Sequence, residues 1–246
     1  MIPRAASPAG FTLVELLVAT FITLTVTAAI VGLIQPAQGA FQSQPEVSDM
    51  HQRLRVGIDA LTRDLLAAGA GLSSPSAAPV LPYRVGARDS DPEQGILYRP
   101  DAISMRFVPW AGTAVESRTY YLKSDLATRT FQLMQYDGAD TDLPAVDHVV
   151  TLEFEYFGED DTLLSPAVLQ DGPWETGDPD AAVFDADLRR IRRVRIALRV
   201  QAALASMRGP SGTLFTHGGT STSAARYLPD REIRFDVALR NMNPGG

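Results

Sequence analysis

Few side chains in this sequence have the type and spacing that catalysis or metal binding needs. One carboxylate, however, lies in an apolar segment, where a charge is energetically costly. The three histidines, His51, His148 and His217, are far apart, and the 246 residues include no cysteine. Thiolate metal sites, cysteine nucleophiles and disulfides are therefore excluded. Glu15 is different, because it lies near the start of a long apolar run. A carboxylate there is expected to have a functional partner, and the alternative is that Glu15 lies at the level of the lipid headgroups, where the cost of its charge is small.

Most other clustered carboxylates lie in a predicted acidic insertion at residues 158–188. Such a cluster could bind calcium, but its spacing matches no EF-hand loop and lacks the closing glutamate. We therefore predict a solvated loop, and the same holds for Asp137, Asp140 and Asp142. Glycine-rich phosphate motifs, HExxH and GxSxG are absent from the sequence. The chain is accordingly not expected to be an enzyme, and neither a metal site nor a cofactor is predicted.

Residues 11–34, FTLVELLVATFITLTVTAAIVGLI, are almost uninterruptedly apolar. At about 1.5 Å per residue a helix of this length spans a bilayer. Ahead of the run Arg4 is the one charged side chain, and the next basic residue is Arg53. Because positive charge stays on the cytoplasmic side, we expect a single-pass protein of the inner membrane whose C-terminal domain is periplasmic or otherwise extracytoplasmic.

The ten residues Gly10–Ala19, GFTLVELLVA, closely resemble the processing site of type IV prepilins and type II secretion pseudopilins. The resemblance implies that residues 1–10 are a leader peptide, removed by a prepilin peptidase between Gly10 and Phe11. It further implies N-methylation of the new Phe11 amine. The resemblance also implies that Glu15 attracts the Phe11 amine of a neighbouring subunit during assembly.

Residues 35–71 predict an amphipathic second half of the same helix, after a local interruption of the helix signal at residues 35–39. Gly69 and Gly71 supply a stop. The apolar positions recur at spacings of three and four, which is typical of one stripe packed on a sheet. They are Val47, Met50, Leu54, Ile58, Leu61 and Leu65.

Residues 72–246 are predicted to form a sheet domain, which begins with a loop at residues 75–82. Alternation of apolar and polar residues predicts strands at 103–107, 117–123, 129–136, 150–156, 194–200 and 233–239. If the strands at 150–156 and 194–200 pair, Glu153 and Glu155 share a face with arginines. The expected fold class is α+β and pilin-like, with the long N-terminal helix packed on a one-faced antiparallel sheet.

The end of the helix and the end of the chain resemble one branch of the family. Residues 63–71, RDLLAAGAG, and the closing 237–241, VALRN, are similar to PilW-type minor pilins. Major pilins often carry a C-terminal disulfide loop, which a chain without cysteine cannot form. The resemblance therefore implies a low-copy subunit that primes or caps a type IV pilus.

Two alternatives stay open: a J-type pseudopilin of type II secretion, and a membrane-tethered periplasmic enzyme. For a minor pilin or a pseudopilin, the expected partners are the prepilin peptidase, other minor and major pilins or pseudopilins, and the inner-membrane assembly platform. A net charge of -7 argues against nucleic acid as a partner, because binding phosphates needs a basic surface.

Overall fold

A computed structural model describes residues 10–72, 78–82, 98–125, 127, 130–138, 142–165, 169, 186–208 and 228–242. Helix α1 comprises Leu13–Ala67, 55 residues, and is therefore about 80 Å long. It is continuous through residues 35–39, where the sequence signal for a helix is locally interrupted. Its predicted stop is confirmed. Gly69 and Gly71 have φ angles of +84° and +68°, which only glycine adopts without strain.

Seven antiparallel strands follow the helix in the described part of the chain, and each pairs with the next, in the order β1-β2-β3-β4-β5-β6-β7. They are β1 Val80–Pro82, β2 Tyr98–Phe107, β3 Glu116–Asp125, β4 Thr130–Tyr136, β5 Asp142–Phe157, β6 Arg193–Val200 and β7 Arg231–Ala238. Two short 3₁₀ helices, Ala186–Arg190 and Ala205–Met207, flank β6. The predicted α+β architecture, with an N-terminal helix packed on an antiparallel sheet, is confirmed.

The second half of α1 packs on one face of this sheet along the predicted stripe. Met50, Leu54, Leu61 and Leu65 are buried, and Val47 packs against the same core. Alternate residues of β6 are buried and contribute the facing layer: Val194, Ile196, Leu198 and Val200. The core therefore lies between the helix and the sheet, as the spacing of the apolar residues predicts.

Gly57 lies in the middle of this interface and sets its spacing. A Cβ atom at Gly57 would come within 2.7 Å of Leu198 Cδ2 and 3.2 Å of Val146 Cγ2. The absence of a side chain thus lets the helix backbone approach β5 and β6 closely. The stripe of apolar residues does not reveal this contact, because glycine contributes nothing to a hydrophobic pattern.

Two strands differ from the sequence prediction. Part of the predicted loop at 75–82 is β1, in which Val80 pairs with Met105 and Pro82 with Ile103. Pro82 is tolerated because β1 is an edge strand, where the missing N–H interrupts no second ladder. Strand β5 begins at Asp142, eight residues before the predicted strand at 150–156. Register shifts against β4 interrupt the alternation in this first half of β5.

Candidate functional site

The first turn of α1 is closed by a capping box formed by Thr12 and Glu15. Thr12 is the N-cap, and its hydroxyl accepts a hydrogen bond from the backbone N–H of Glu15 at 3.2 Å. In return the Thr12 N–H and the Thr12 hydroxyl both donate to Glu15 Oε2 at 2.8 Å. Two backbone N–H groups that a helix start leaves unpaired are satisfied in this way.

Glu15 therefore has a local partner within its own chain. Its carboxylate also lies at the helix N-terminus, where the aligned peptide dipoles favour a negative charge. From the sequence, Glu15 was predicted to act between subunits, and its contact with Thr12 was not predicted. The signal was present, because Thr12-Leu13-Val14-Glu15 has the spacing of a capping box ahead of an apolar run. The fit of Glu15 to an amine of another subunit stays a prediction.

The peptide bond between Gly10 and Phe11 lies in exposed, irregular chain ahead of the helix. Residues 10–12 are outside regular structure, and the Phe11 side chain is 91% exposed. A Cβ atom placed on Gly10 would meet no other atom within 4 Å. A protease can therefore reach this bond without unfolding α1, and nothing within the described chain requires glycine at position 10.

The segment that follows is suited to a hydrocarbon environment. Leu13–Gly32 has a mean hydropathy of 2.2 and is the one described helix long and apolar enough to cross a membrane. Its side chains are exposed along the whole length. Four threonines within it donate their hydroxyl protons to carbonyls of the preceding turn, at 2.7–3.0 Å: Thr20, Thr23, Thr25 and Thr27. Their polar groups are satisfied inside the helix, which lowers the cost of placing them in lipid.

Where α1 enters the sheet domain, charged side chains join it to the segment after β6. We call Glu46, Arg53, His148 and Arg208 the basal cluster. Glu46 Oε2 accepts hydrogen bonds from the N–H groups of Ala203 at 2.8 Å and Leu204 at 3.3 Å. Arg53 donates to the Gln201 carbonyl at 3.0 Å and is also paired with Asp49. Arg208 donates to the carbonyls of Ala202 and Ala203 at 2.6 and 2.5 Å.

His148 is the neutral member of the basal cluster. Its backbone is left-handed, with φ at +57°, and its Nδ1 lies 3.1 Å from Arg208 Nη2 and 3.3 Å from the Thr130 hydroxyl. A guanidinium can only donate, so Nδ1 must accept and must carry no proton. Burial and the neighbouring cations Arg53 and Arg208 lower the pKa of His148, against the weaker opposite effect of Asp147 and Asp125.

This arrangement predicts a stability that depends on pH near neutrality. The unfolded chain takes up a proton on His148 at about pH 6.5, its ordinary pKa, whereas the folded chain resists protonation to lower pH. The free energy of unfolding should therefore be highest above that pH and fall as the pH drops from about 7.5 to 5.5. Thermal unfolding of the full chain in detergent across this range is the measurement.

The matched variants for that measurement are His148→Asn and His51→Asn. Asparagine tolerates the left-handed backbone at position 148 and does not titrate, so His148→Asn should flatten the pH dependence between 5.5 and 7.5. His51 lies exposed on α1, and His51→Asn should keep the wild-type profile. Equal pH dependence in the wild type and His148→Asn would contradict the assignment.

A second set of hydrogen-bonded polar side chains, Asp64, Tyr120 and Gln135, lies in a cleft of about 420 Å³ between α1 and strands β3 to β5. Asp64 is buried there, and its Oδ2 accepts hydrogen bonds from the Tyr120 hydroxyl at 2.8 Å and Gln135 Nε2 at 3.1 Å. Burial and the carboxylate of Asp64 raise the pKa of Tyr120. The Asp64 carboxylate therefore joins helix α1 to strands β3 and β4.

The opposite face of the sheet carries the predicted pairing of acids and arginines. Glu155 lies directly opposite Arg195 on β6, at 3.5 Å between Oε2 and Nη1, as predicted. Glu153 lies opposite Ala197, on the same face of the sheet as Arg195 and Arg199, as predicted. Arg195 also donates to Asp236 on β7 at 2.9 Å, and this hydrogen bond lowers the pKa of Asp236. Arg193 and Arg195 of β6 are thus engaged by neighbouring carboxylates, whereas Arg199 donates to the Thr151 hydroxyl at 2.9 Å.

Of the predicted acidic insertion at 158–188, the structure describes 158–165, 169 and 186–188, and the other residues lie outside it. Glu159 and Asp160 are exposed, and Asp161 pairs with Arg193 at 2.8 Å. Within the described ranges no three histidine, aspartate or glutamate side chains come together in a group that could hold a metal ion. Asp142 accepts a hydrogen bond from the Tyr121 hydroxyl at 2.6 Å, and Asp140 lies outside the described residues.

No protein-family model and no curated protein matches the chain. Among solved structures, the backbone is similar to a type IV-like pilin from Thermus thermophilus, with a TM-score of 0.37 and 14% sequence identity. The match covers 78% of this chain and 97% of the Thermus thermophilus chain. At this identity and TM-score the similarity assigns no function to the chain.

Proposed function

We propose that this chain is a pilin-type subunit that is processed after Gly10 and assembled into a filament through its N-terminal helix. The observation that carries the proposal is the GFTLVE motif at the start of a helix that is both exposed and apolar over Leu13–Gly32. The motif supplies a scissile bond in accessible chain. The apolar surface needs burial, either in lipid or against other helices of the same kind.

The continuity of α1 supports assembly through the helix. One helix of 55 residues carries the apolar segment at one end and the core of the sheet domain at the other. A helix held by packing along its second half positions the first half relative to the sheet domain without an intervening loop. When such subunits leave the membrane, their apolar halves can pack together in the centre of a filament while the sheet domains stay in water.

Within this proposal the chain is a minor subunit of a type IV pilus that primes or caps the filament. A prepilin peptidase removes residues 1–10, the Phe11 amine is methylated, and other pilins and the inner-membrane assembly platform are the partners. The similarity of residues 63–71 and 237–241 to PilW-type minor pilins supports the minor subunit, as does the absence of cysteine. The domain after the membrane span is periplasmic in this arrangement.

The test is the chemical state of the N-terminus together with the proteins that co-purify with the chain. Mass spectrometry of membrane-extracted protein should find Phe11 as a methylated N-terminus, and sheared filaments should contain the chain at low copy beside other pilins. Co-purification with a type II secretion apparatus would instead identify a pseudopilin. Recovery of intact Met1 from cells with an active prepilin peptidase would refute the proposal.

A further inference from the structure

The cleft between α1 and strands β3 to β5 has the size of a small-molecule site. Its volume is about 420 Å³, and such sites range from about 300 to 1,000 Å³. One wall is the helix, which contributes side chains three and four positions apart: Val56, Asp59, Ala60 and Arg63. The other wall is the sheet, which contributes Arg118, Tyr120, Gln135 and Ala145. A ligand in this cleft therefore contacts helix and sheet at once.

The two ends of the cleft differ in their chemistry. Arg63 follows Val56 by seven residues, which places it about 10 Å farther along the helix. Arg118 lies toward the same end, because β3 begins after a connection whose first residue, Val108, donates its N–H to the Ala70 carbonyl just beyond α1. The cationic end thus faces the end of α1. The rest of the lining includes three apolar side chains: Val56, Ala60 and Ala145.

Neither arginine of the cleft is hydrogen-bonded to a carboxylate in the described part of the chain. Arg63 is exposed and makes no hydrogen bond or ion pair there. Arg118 Nη2 lies 3.7 Å from Glu116 Oε2, which is too long for a hydrogen bond. Both guanidinium groups lower the pKa of Tyr120 against the larger effects of burial and Asp64. Their positive charges therefore act on the inside of the cleft.

The two acids of the cleft leave these arginines available. Asp64 is engaged by the Tyr120 hydroxyl and by Gln135 Nε2. Asp59 precedes Arg63 by four residues, yet no ion pair joins the two side chains. A guanidinium is a planar donor that matches the two oxygens of a carboxylate. Because two arginines and two acids line the cleft, a singly charged anion is favoured over a phosphate dianion.

We propose that this cleft binds a carboxylate borne on a short aliphatic chain, with the carboxylate between Arg63 and Arg118. The carbon chain lies on the apolar part of the lining. Such a group occurs in a free short-chain acid and in the side chain of a glutamate from another polypeptide. The inference uses only the charges and shape of the cleft, so it stands or falls separately from the proposed function.

The experiment titrates the full-length chain in detergent with two probes, sodium butyrate and N-acetyl-L-glutamate methylamide, at neutral pH and constant ionic strength. Saturation-transfer NMR on the methylene protons of each probe gives its Kd. Butyramide and N-acetyl-L-glutamine methylamide have the same shapes without the charge. They should bind about tenfold more weakly or worse, because hydrogen bonds to a charged acceptor are about twice as strong as neutral ones.

The outcomes separate the two sources of the carboxylate. Tighter binding of butyrate indicates a free acid, and tighter binding of the glutamate probe indicates a polypeptide side chain. Equal affinity for acids and amides overturns the inference. So does tighter binding of inorganic phosphate than of either acid.

Substitutions test the residues. Arg63→Gln and Arg118→Gln should each raise the Kd of the tighter probe by about tenfold, and Asp59→Asn should lower it because a negative charge is removed from the lining. Arg55→Gln is the matched control, since Arg55 lies on the same helix outside the cleft. It should bind like the wild type. Equal losses in Arg55→Gln and Arg63→Gln would show only a general attraction of anions and would overturn the site.

The exposed position of Arg63 keeps this test valid if Arg118→Gln fails to fold. Arg63 makes no contact that stabilises the described fold, so Arg63→Gln should unfold at the wild-type temperature in the absence of a probe. Wild-type affinity of a folded Arg63→Gln variant overturns the inference.

Discussion

Cells that produce Gly10→Leu should accumulate the unprocessed chain in the membrane, with Met1 still present. The fold gives no reason for glycine at this position, because a Cβ atom on Gly10 meets nothing within 4 Å. Any requirement for glycine therefore comes from a protease that must approach the backbone closely. A side chain that displaces the scissile carbonyl by about 1 Å can slow cleavage about a hundredfold. Insertion should be unaffected, because the apolar segment drives it.

Gly32→Leu is the matched control, because Gly32 also lies in open surroundings, with no atom within 4 Å of an added Cβ. It lies at the far end of the apolar segment, away from the cleavage site, and should be processed like the wild type. Intact mass and gel mobility of the membrane fraction measure both variants. Normal processing of Gly10→Leu, with Phe11 as the new N-terminus, would show that cleavage here does not require glycine.

The main elements could be predicted because they depend on local patterns. The membrane segment follows from 24 nearly continuous apolar residues, and the packing stripe of α1 follows from spacings of three and four. Strand β6 alternates without exception, with Val194, Ile196, Leu198 and Val200 fully buried. The pairing of Glu155 with Arg195 needed one further assumption, that β5 and β6 are neighbours, and it was correct.

Other features depend on contacts that no local pattern records. Strand β1 is too short to show alternation and contains proline, and it exists because Val80 and Pro82 pair with β2. The first half of β5 contains a left-handed His148 and register shifts, so its alternation is broken. The sequence signal for α1 weakens at residues 35–39 because proline disfavours a helix interior, and the neighbouring turns carry the helix through this segment.

The candidate sites divide in the same way. The cleavage motif and Glu15 were visible in the sequence, and so was the spacing of Thr12 and Glu15, whose meaning was overlooked. The basal cluster joins Glu46 to Ala203 and His148 to Arg208, residues 60 to 157 positions apart.

The capping box now allows the charge of Glu15 to be separated from its structural role. Glutamine is as acceptable as glutamate at the third position of a capping box, so Glu15→Gln should preserve the helix start and the size of the side chain. It removes the negative charge that the Phe11 amine of a neighbouring subunit would meet. Thr12→Ala is the converse variant, because it removes the N-cap side chain at a cost of about 1 kcal/mol and keeps the charge.

If Glu15 is the counter-charge for that amine, Glu15→Gln and Glu15→Ala should insert and be processed, yet enter filaments about tenfold less or worse. The reason is that a cation buried among apolar helices becomes strongly unfavourable when its partner charge is removed. Thr12→Ala should assemble nearly as the wild type does. Filament yield divided by the membrane level of processed subunit is the measurement. Equal loss in Thr12→Ala and Glu15→Gln would assign the effect to the helix start, and normal filaments with Glu15→Gln would show that the charge has no part in assembly.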